Sequence, residues 1–532
     1  MSPIPDALHS VSKYVGSAVT FLTPPALLVP ELLLHYFAHL SKKDLSVAAL
    51  VCRFWGVLAE DTLWRVKEVP LTVLLKKLDE NLHLGIRVWS LRRQLSPEQT
   101  DAPTHLRRYQ KITSLHVDTC ADGAAAIALR QLLNHYQESS LCPNLKYVSI
   151  SISVIPLGSQ TNLDSTLRFL LGSSTTEVTI CDHNGTQELG MILRILGTHS
   201  PFVRSFTLGQ CLRWGEIIGY TVDLGQLSHV KVLHLRDISI EAFETLCGCG
   251  ELEELFITDG GYWGHVMEDE ARRKMIIPSL RVLAIKCPRL NCPALVQTDL
   301  PSLRRLTFTY PETVSGASVG LQSVLEGLSQ RSRLMEELTV EVCGERLGAS
   351  AIHTLCMMKA LTKIRLHGFV TGTLQITDDC IILLAQSFPN LTSLSVDVGA
   401  DWETLAITDR SLVSVIIRCK DLDSLDIPLD LSRCHKQSTP RFLPSSSSVE
   451  RLFIRHLKLS HDPTWTIRFL ARRFPNARDF KLGGIGRNQS WLEFEDLAAY
   501  TALLAKSFHT FRGRPSALMV SSLIVEEVLG SR

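Results

Sequence analysis

The chain has 532 residues, 45% of them hydrophobic and 20% charged, a balance that suits a soluble, well-packed protein and excludes global disorder. Its formal net charge of +1 offers no electrostatic basis for binding nucleic acid or an anionic membrane. Fourteen cysteines lie at irregular spacing, some inside apolar runs as at Cys52 and Cys356, the usage expected of reduced, buried thiols in a cytoplasmic or nuclear protein.

Residues 1–25 read as an N-terminal arm. The uncharged stretch from Tyr14 to Pro30 has the polarity of a leader or a membrane segment. It holds Pro24, Pro25 and Pro30, lacks a clear cleavage site and runs straight into a helical pattern, so it is read as arm. From Leu28 to Trp64 the sequence then predicts short amphipathic helices. Leu33, Phe37 and Leu40 fall at helical spacing, as do Val51, Trp55 and Leu58. Ser41, with Asp44 three residues on, forms an approximate capping box for the segment between them. Three short helices bury little area, so they either pack on the rest of the chain or present apolar surface to a partner. The succession Leu28, Pro30, Leu33, Phe37, Leu40, Leu45, Leu50-Val51-Cys52-Arg53, Trp55 and Leu63-Trp64 resembles the F-box. It departs from that family's usual Leu-Pro start, since Val29 follows Leu28 and Pro30 comes one place later. The module is assigned to residues 26–70, and residues 71–110 to a charged helical linker that caps the start of the next domain.

From Ile112 a phrase recurs: apolar, two variable residues, apolar, one variable residue, apolar. It is read at Ile112-Leu115-Val117, Leu145-Val148-Ile150, Val203-Phe206-Leu208, Val230-Leu233-Leu235, Leu252-Leu255-Ile257, Leu280-Leu283-Ile285 and Leu303-Leu306-Phe308. It continues at Met335-Leu338-Val340, Leu361-Ile364-Leu366, Leu391-Leu394-Val396, Leu422-Leu425-Ile427 and Val449-Leu452-Ile454, with a weaker copy at Ala477-Phe480-Leu482 and a partial one at Thr175-Val178-Ile180. Alternate residues of a short strand point inward while those between them face the open side of a sheet. The units recur about every twenty-eight residues, and no single one buries its apolar side alone. A stretch near Leu374 repeats about thirty-one residues later near Leu405, and in both copies Thr-Asp (Thr377-Asp378, Thr408-Asp409) starts a helix with the threonine as N-cap. Those helices are expected to turn Ile382 and Ala385, or Val413 and Ile416, toward the strands. Cys120, Cys211 and Cys343 each sit eight positions after the first apolar residue of their unit. Phrase, period and cysteine slot resemble leucine-rich repeats of the irregular kind attached to F-boxes in the fungal-type F-box/leucine-rich-repeat family. The expected fold is therefore α/β: an all-α F-box, then a solenoid over residues 111–490 with a curved parallel sheet inside and helices outside. Residues 491–532 are expected to form a C-terminal helical cap, and residues 432–448 a flexible insertion.

No motif reads as catalytic. Cys247-Gly-Cys249 and Cys287…Cys292 lack the paired spacing of a zinc site, and Gly483-Gly484-Ile485-Gly486-Arg487 lacks the Lys-Ser/Thr of a phosphate loop. No metal or cofactor is expected. Two surfaces remain as candidates for holding a protein. Trp214, Trp263 and Trp402 each lie six residues past the last apolar position of their phrase and would share one rim, either filling gaps or offering an aromatic strip. Outward strand positions carry His234, Phe256, Arg365, Asp426, Arg451, Phe453 and Arg455, a mixture suited either to an ordinary solvated face or to an acidic or phosphorylated segment.

The F-box resemblance implies a non-catalytic, substrate-recognition subunit of an SCF-type cullin ubiquitin ligase, acting in the cytoplasm or nucleus. Leu28, Pro30, Leu33, Phe37, Leu40, Leu45, Val51, Cys52, Trp55 and Trp64 would then pack on, or support packing on, a Skp-type adaptor and through it a cullin. The repeats would hold an unidentified protein substrate, with no nucleic acid or membrane involved. A repeat scaffold uncoupled from ubiquitination fits the same residues and stays open as the alternative.

Overall fold

The computed structural model describes residues 29–66, 69–70, 112–118, 144–152, 171, 174–182, 195–198, 200, 202–209, 228–235, 243, 245–258, 275–286, 298–310, 321–342, 347–368, 376–398, 407–431, 445, 448–454, 457–458, 469–470 and 472–482. The expected arm, linker and C-terminal cap lie outside these residues. So do Leu28, Trp214, Trp263, Trp402, Arg455, Cys120, Cys211, Cys343 and the insertion at 432–448 apart from Ser445 and Ser448. The chain divides into two compact units, Met1–Leu233 and His234–Arg532.

The first unit opens with three helices, α1 (Pro30–Ala38), α2 (Lys42–Ala48) and α3 (Arg53–Val66). A short strand β1 (Val69–Pro70) follows α3 and pairs in parallel with β2 (Ser114–Asp118), Val69 opposite Leu115. Then come β3 (Tyr147–Ile152), β4 (Glu177–Asp182) and β5 (Ser205–Leu208), each parallel to the one before. Strand β6 (Val232–Leu235) contains the boundary between the units.

The second unit carries β7 (Glu254–Ile257), β8 (Val282–Lys286), β9 (Arg305–Tyr310), β10 (Glu337–Val342), β11 (Lys363–Gly368), β12 (Ser393–Asp397), β13 (Ser424–Asp426), β15 (Arg451–Ile454) and β17 (Asp479–Leu482) in one open parallel sheet in chain order, while β14 (Leu429–Asp430) and β16 (Leu457–Lys458) pair separately. Parallel neighbours need long crossovers. Among the described residues these crossovers hold α4 (Leu321–Arg331), α5 (Ala349–Leu355), α6 (Asp378–Ser387) and α7 (Asp409–Arg418). The crossovers vary in length: Leu306 lies 23 residues after its partner Leu283, and Leu338 lies 32 after Leu306.

Every apolar position of the recurring phrase whose side chain is described is buried, as is Thr175 of the partial copy; the side chains of Val117, Phe480 and Leu482 lie outside the described residues. One residue per strand stacks in register through the second unit, from Leu255 and Leu283 through Leu306, Leu338, Ile364, Leu394, Leu425 and Leu452 to Phe480. At the strand starts one carbonyl accepts two amides of the next unit: Glu336 O takes Thr362 N and Lys363 N, Thr362 O takes Thr392 N and Ser393 N, and Thr392 O takes Asp423 N and Ser424 N. The Thr362 and Thr392 hydroxyls donate to the same rows of carbonyls, at 3.2 and 3.1 Å. Backbone groups that a turn leaves unpaired are thus satisfied across units. Exposed ion pairs run along this edge, among them Arg304–Glu336 at 2.7 Å, Lys363–Glu337 and Arg451–Asp423. Each contributes at most about 1 kcal/mol and mainly favours one register.

The repeated Thr-Asp start behaves differently in its two copies. Thr408 caps α7, accepting from Arg410 N at 3.3 Å, whereas Thr377 makes no such capping bond and instead donates to Cys380 Sγ at 3.6 Å. Asp378, expected to serve its own helix dipole, accepts from Thr408 N at 2.7 Å and from Thr408 Oγ1 at 2.6 Å, tying α6 to α7. The buried faces meet the expectation at Ala385 and Ile416, but Ile381 and Leu384 in α6, and Leu412 and Val415 in α7, complete them, while Ile382 and Val413 are only partly buried. Asp378→Ala removes two charge-assisted acceptors from the α7 cap. The expected cost is about 1–3 kcal/mol, read as a lower urea midpoint with faster amide exchange at the start of α7.

Candidate docking site

The three N-terminal helices are set by local chemistry. Pro30 opens α1 at its first position, where a missing amide hydrogen costs nothing. Ser41 caps α2, its hydroxyl oxygen accepting from Asp44 N at 3.2 Å while Ser41 Oγ donates to Asp44 Oδ2 at 2.6 Å. Cys52 precedes α3 and its sulfur accepts from Trp55 N at 3.5 Å, a weak cap. Helix α3 then passes so close to the turn after α2 that a Cβ on Gly56 would stand 3.0 Å from Ala49 O. Glycine is the residue that admits this approach.

Their shared core is small: Leu33, Phe37, Leu45, Ala48 and Ala59, with Leu40, Ala49, Trp55, Leu58 and Leu63 packed around it. The Trp55 ring meets Phe37 edge-on at 5.5 Å. Of the residues expected to contact an adaptor, Leu33, Phe37 and Leu45 are therefore interior, Leu40 and Trp55 support them, and Cys52 is half-buried. Pro30 and Val51 are exposed; Trp64 lies in α3, but its side chain is outside the described residues. The apolar surface left outside belongs to other residues. Leu32 and Tyr36 project from α1, one turn apart; Val47, Leu50, Val51, Phe54 and Val57 follow the corner from α2 into α3. Leu50 is 86% exposed, Val57 62% and Tyr36 60%. Their spacing was a readable signal: a helix that buries Leu33 and Phe37 carries Leu32 and Tyr36 about 100° round from them, off the buried face.

The second candidate surface, the outward side of the strands in the second unit, comes out in pieces. The His234 and Phe256 rings stack with nearly parallel planes, their centroids 4.2 Å apart. Burial lowers the His234 pKa, opposed by the carboxylate of Glu254. Arg365 is exposed, Arg451 is paired with Asp423, and Phe453 is half-buried. Asp426 corrects the expectation of an outward, solvated acid. It is 7% exposed and accepts from Ser395 Oγ at 2.9 Å. Ser395 is itself buried, and with its one proton given to Asp426 it accepts from His367 Nε2 at 3.2 Å. A target side chain cannot reach Asp426 without displacing that row.

Among the described residues no group of three or more His, Cys, Asp or Glu is arranged to hold a metal ion, and no helix is long and apolar enough to cross a membrane. Burial raises the thiol pKa of Cys181 and Cys356 and pushes that of Cys419 up to about 11. The folded Cys419 pKa thus lies above the ordinary thiol value. Its contribution to stability is complete below that ordinary value and is lost as pH rises through the folded one. At pH 8 Cys419 is expected to resist alkylation by iodoacetamide in the folded chain and to react on addition of urea, read by mass spectrometry.

A family model described as F-box-like matches residues 30–67, the span of α1 to α3. No curated protein matches the chain. The match supports an F-box protein, with a role as a ubiquitin-ligase adaptor in general; such domains generally bind Skp-type adaptors, and the proteins that carry them are typically non-catalytic.

Proposed function

We propose that the chain is the substrate-recognition subunit of an SCF-type cullin ubiquitin ligase. The observation that carries this reading is the F-box-like match over a helical module whose core is complete while large apolar side chains stay outside it. A self-sufficient surface seldom leaves leucine and tyrosine in water within one short segment; such patches mark association. In this reading a Skp-type adaptor covers Leu32, Tyr36, Val47, Leu50, Val51, Phe54 and Val57, with a cullin bound through the adaptor. Residues 26–70 are the F-box, and residues 111–490 a leucine-rich-repeat solenoid of the irregular fungal type that holds the target protein, in the cytoplasm or nucleus. The in-register parallel strands and the burial of the recurring phrase support the solenoid assignment. Arg365, His234 and Phe256 are the outward residues best placed to meet a target. The chain contributes no nucleophile; it raises the effective concentration of a target lysine near a conjugating enzyme held elsewhere.

The test replaces surface and leaves the core: Leu50→Ser with Phe54→Ser. Co-purification with the Skp-type adaptor is expected to fall by about a hundredfold or more, as for loss of two central apolar anchors. The circular-dichroism spectrum should be unchanged. Undiminished co-purification overturns the reading. Ubiquitination of captured proteins in a reconstituted reaction, with and without the cullin, separates a ligase subunit from an uncoupled scaffold.

A further inference from the structure

We propose that His35 and His39 form a two-donor site for a divalent transition-metal ion on the outer side of α1, and that an ion held there excludes the adaptor from that face. The second half rests on the docking reading above; the first does not. The two histidines are four residues apart, one helical turn, so their side chains rise from the same side of the helix. Their ring centroids are 5.2 Å apart and the rings stand nearly perpendicular. Both are exposed.

A metal ion bound by imidazole nitrogens at about 2.0–2.1 Å requires those nitrogens to come within a few ångströms of each other. Two exposed imidazoles whose centroids already lie 5.2 Å apart reach that by side-chain rotation alone. The same four-residue spacing on one helix face brings two histidines to zinc in helical metal motifs. Position adds to this. His35 lies in the last turn of α1 and His39 is its C-cap. The carbonyl end of a helix favours a positive charge there. Imidazole nitrogen donors select Zn²⁺, Ni²⁺ or Cu²⁺ over the oxygen-seeking Mg²⁺ and Ca²⁺. The remaining coordination positions fall to water.

Leu32 and Tyr36 share this side of the helix: at about 100° per residue, Leu32, His35, Tyr36 and His39 fall within one third of its circumference. An occupied site places a hydrated dication beside the apolar Leu32 and Tyr36. Burying that charge under an apolar partner is unfavourable, so adaptor and ion compete.

Equilibrium dialysis of Zn²⁺ against the full chain and against His35→Gln, His39→Gln and the double variant tests the site itself. Chelation makes the two donors non-additive: either single substitution is expected to weaken this site by about a hundredfold, nearly as much as both. Losses that simply add, or no difference from the parent chain, overturn the site. In parallel, adaptor co-purification is measured across a Zn²⁺ titration. It is expected to decline in the parent chain and hold steady in the double variant. Unchanged capture by the parent at saturating Zn²⁺ overturns the competition. Absence of capture without any metal overturns the docking reading and the competition built on it, and the dialysis result still decides the site.

Discussion

Phe37→Ala is expected to dissolve the three-helix module as a unit. Phe37 has no solvent exposure, and it stands with Leu33, Leu45, Ala48 and Ala59 in a five-residue core. Truncating a buried phenylalanine costs about 3–5 kcal/mol. A module with so small a core has little more than that to lose. The Trp55 ring also loses its edge-on partner, about 0.5–1.5 kcal/mol beyond the buried area. Hydrogen exchange should show residues 30–66 losing protection while the amides of β8 to β13 keep theirs. Parent-like protection across α1 and α3 would mean that the core is held by something other than these contacts. Leu33→Ala with Trp55→Ala belongs to the same class. Those residues resemble adaptor contacts in the sequence, yet their replacement abolishes binding by removing the module, so only surface substitutions such as Leu50→Ser and Phe54→Ser test the contact itself.

That contrast defines how far the sequence was legible. Period-two spacing located the buried strand positions well, because strand burial follows alternation and little else: Leu306, Leu338, Ile364 and Leu394 are interior as their spacing implies. The same rule failed at Asp426. Alternation assigns Asp426 to the open side, but Ser395 and Asp426 are both buried there, and a serine hydroxyl on a neighbouring strand satisfies the acid. Pattern reasoning ranks a carboxylate as solvent-facing and has no way to see a partner thirty-one residues away. In α6 and α7 Ala385 and Ile416 are buried as their spacing implies, but the residues buried beside them are Ile381 and Leu412 and not Ile382 and Val413, and the tie from Asp378 to Thr408 joins two repeats in a way that neither copy reveals alone. At the front of the chain a resemblance names a family's characteristic residues without sorting interior from surface. Phe37 and Leu50 therefore entered as equals of one motif, and only packing separates a fully buried ring from an 86% exposed leucine.

Leu425→Ala is expected to be the most damaging single truncation in the second unit's sheet. Leu425 has no exposure and sits in β13 between Leu394 of β12 and Leu452 of β15, all three in register. β13 has only three residues, so Leu425 is its one central inward side chain. Removing it leaves a cavity between Leu394 and Leu452, at about 2–5 kcal/mol. The loss should stay near its origin. In a sheet built in chain order each strand bonds only to the strand before and the strand after, so the weakened link opens β12 to β15 first and leaves β8 and β9 protected. Thr339→Ala, on the open side of β10, is the matched control and should change stability by no more than about 0.5 kcal/mol. Hydrogen exchange by mass spectrometry distinguishes the outcomes: protection lost evenly across the second unit would show that the sheet opens as one cooperative body, and parent-like protection in β12 and β15 would remove Leu425 from the core.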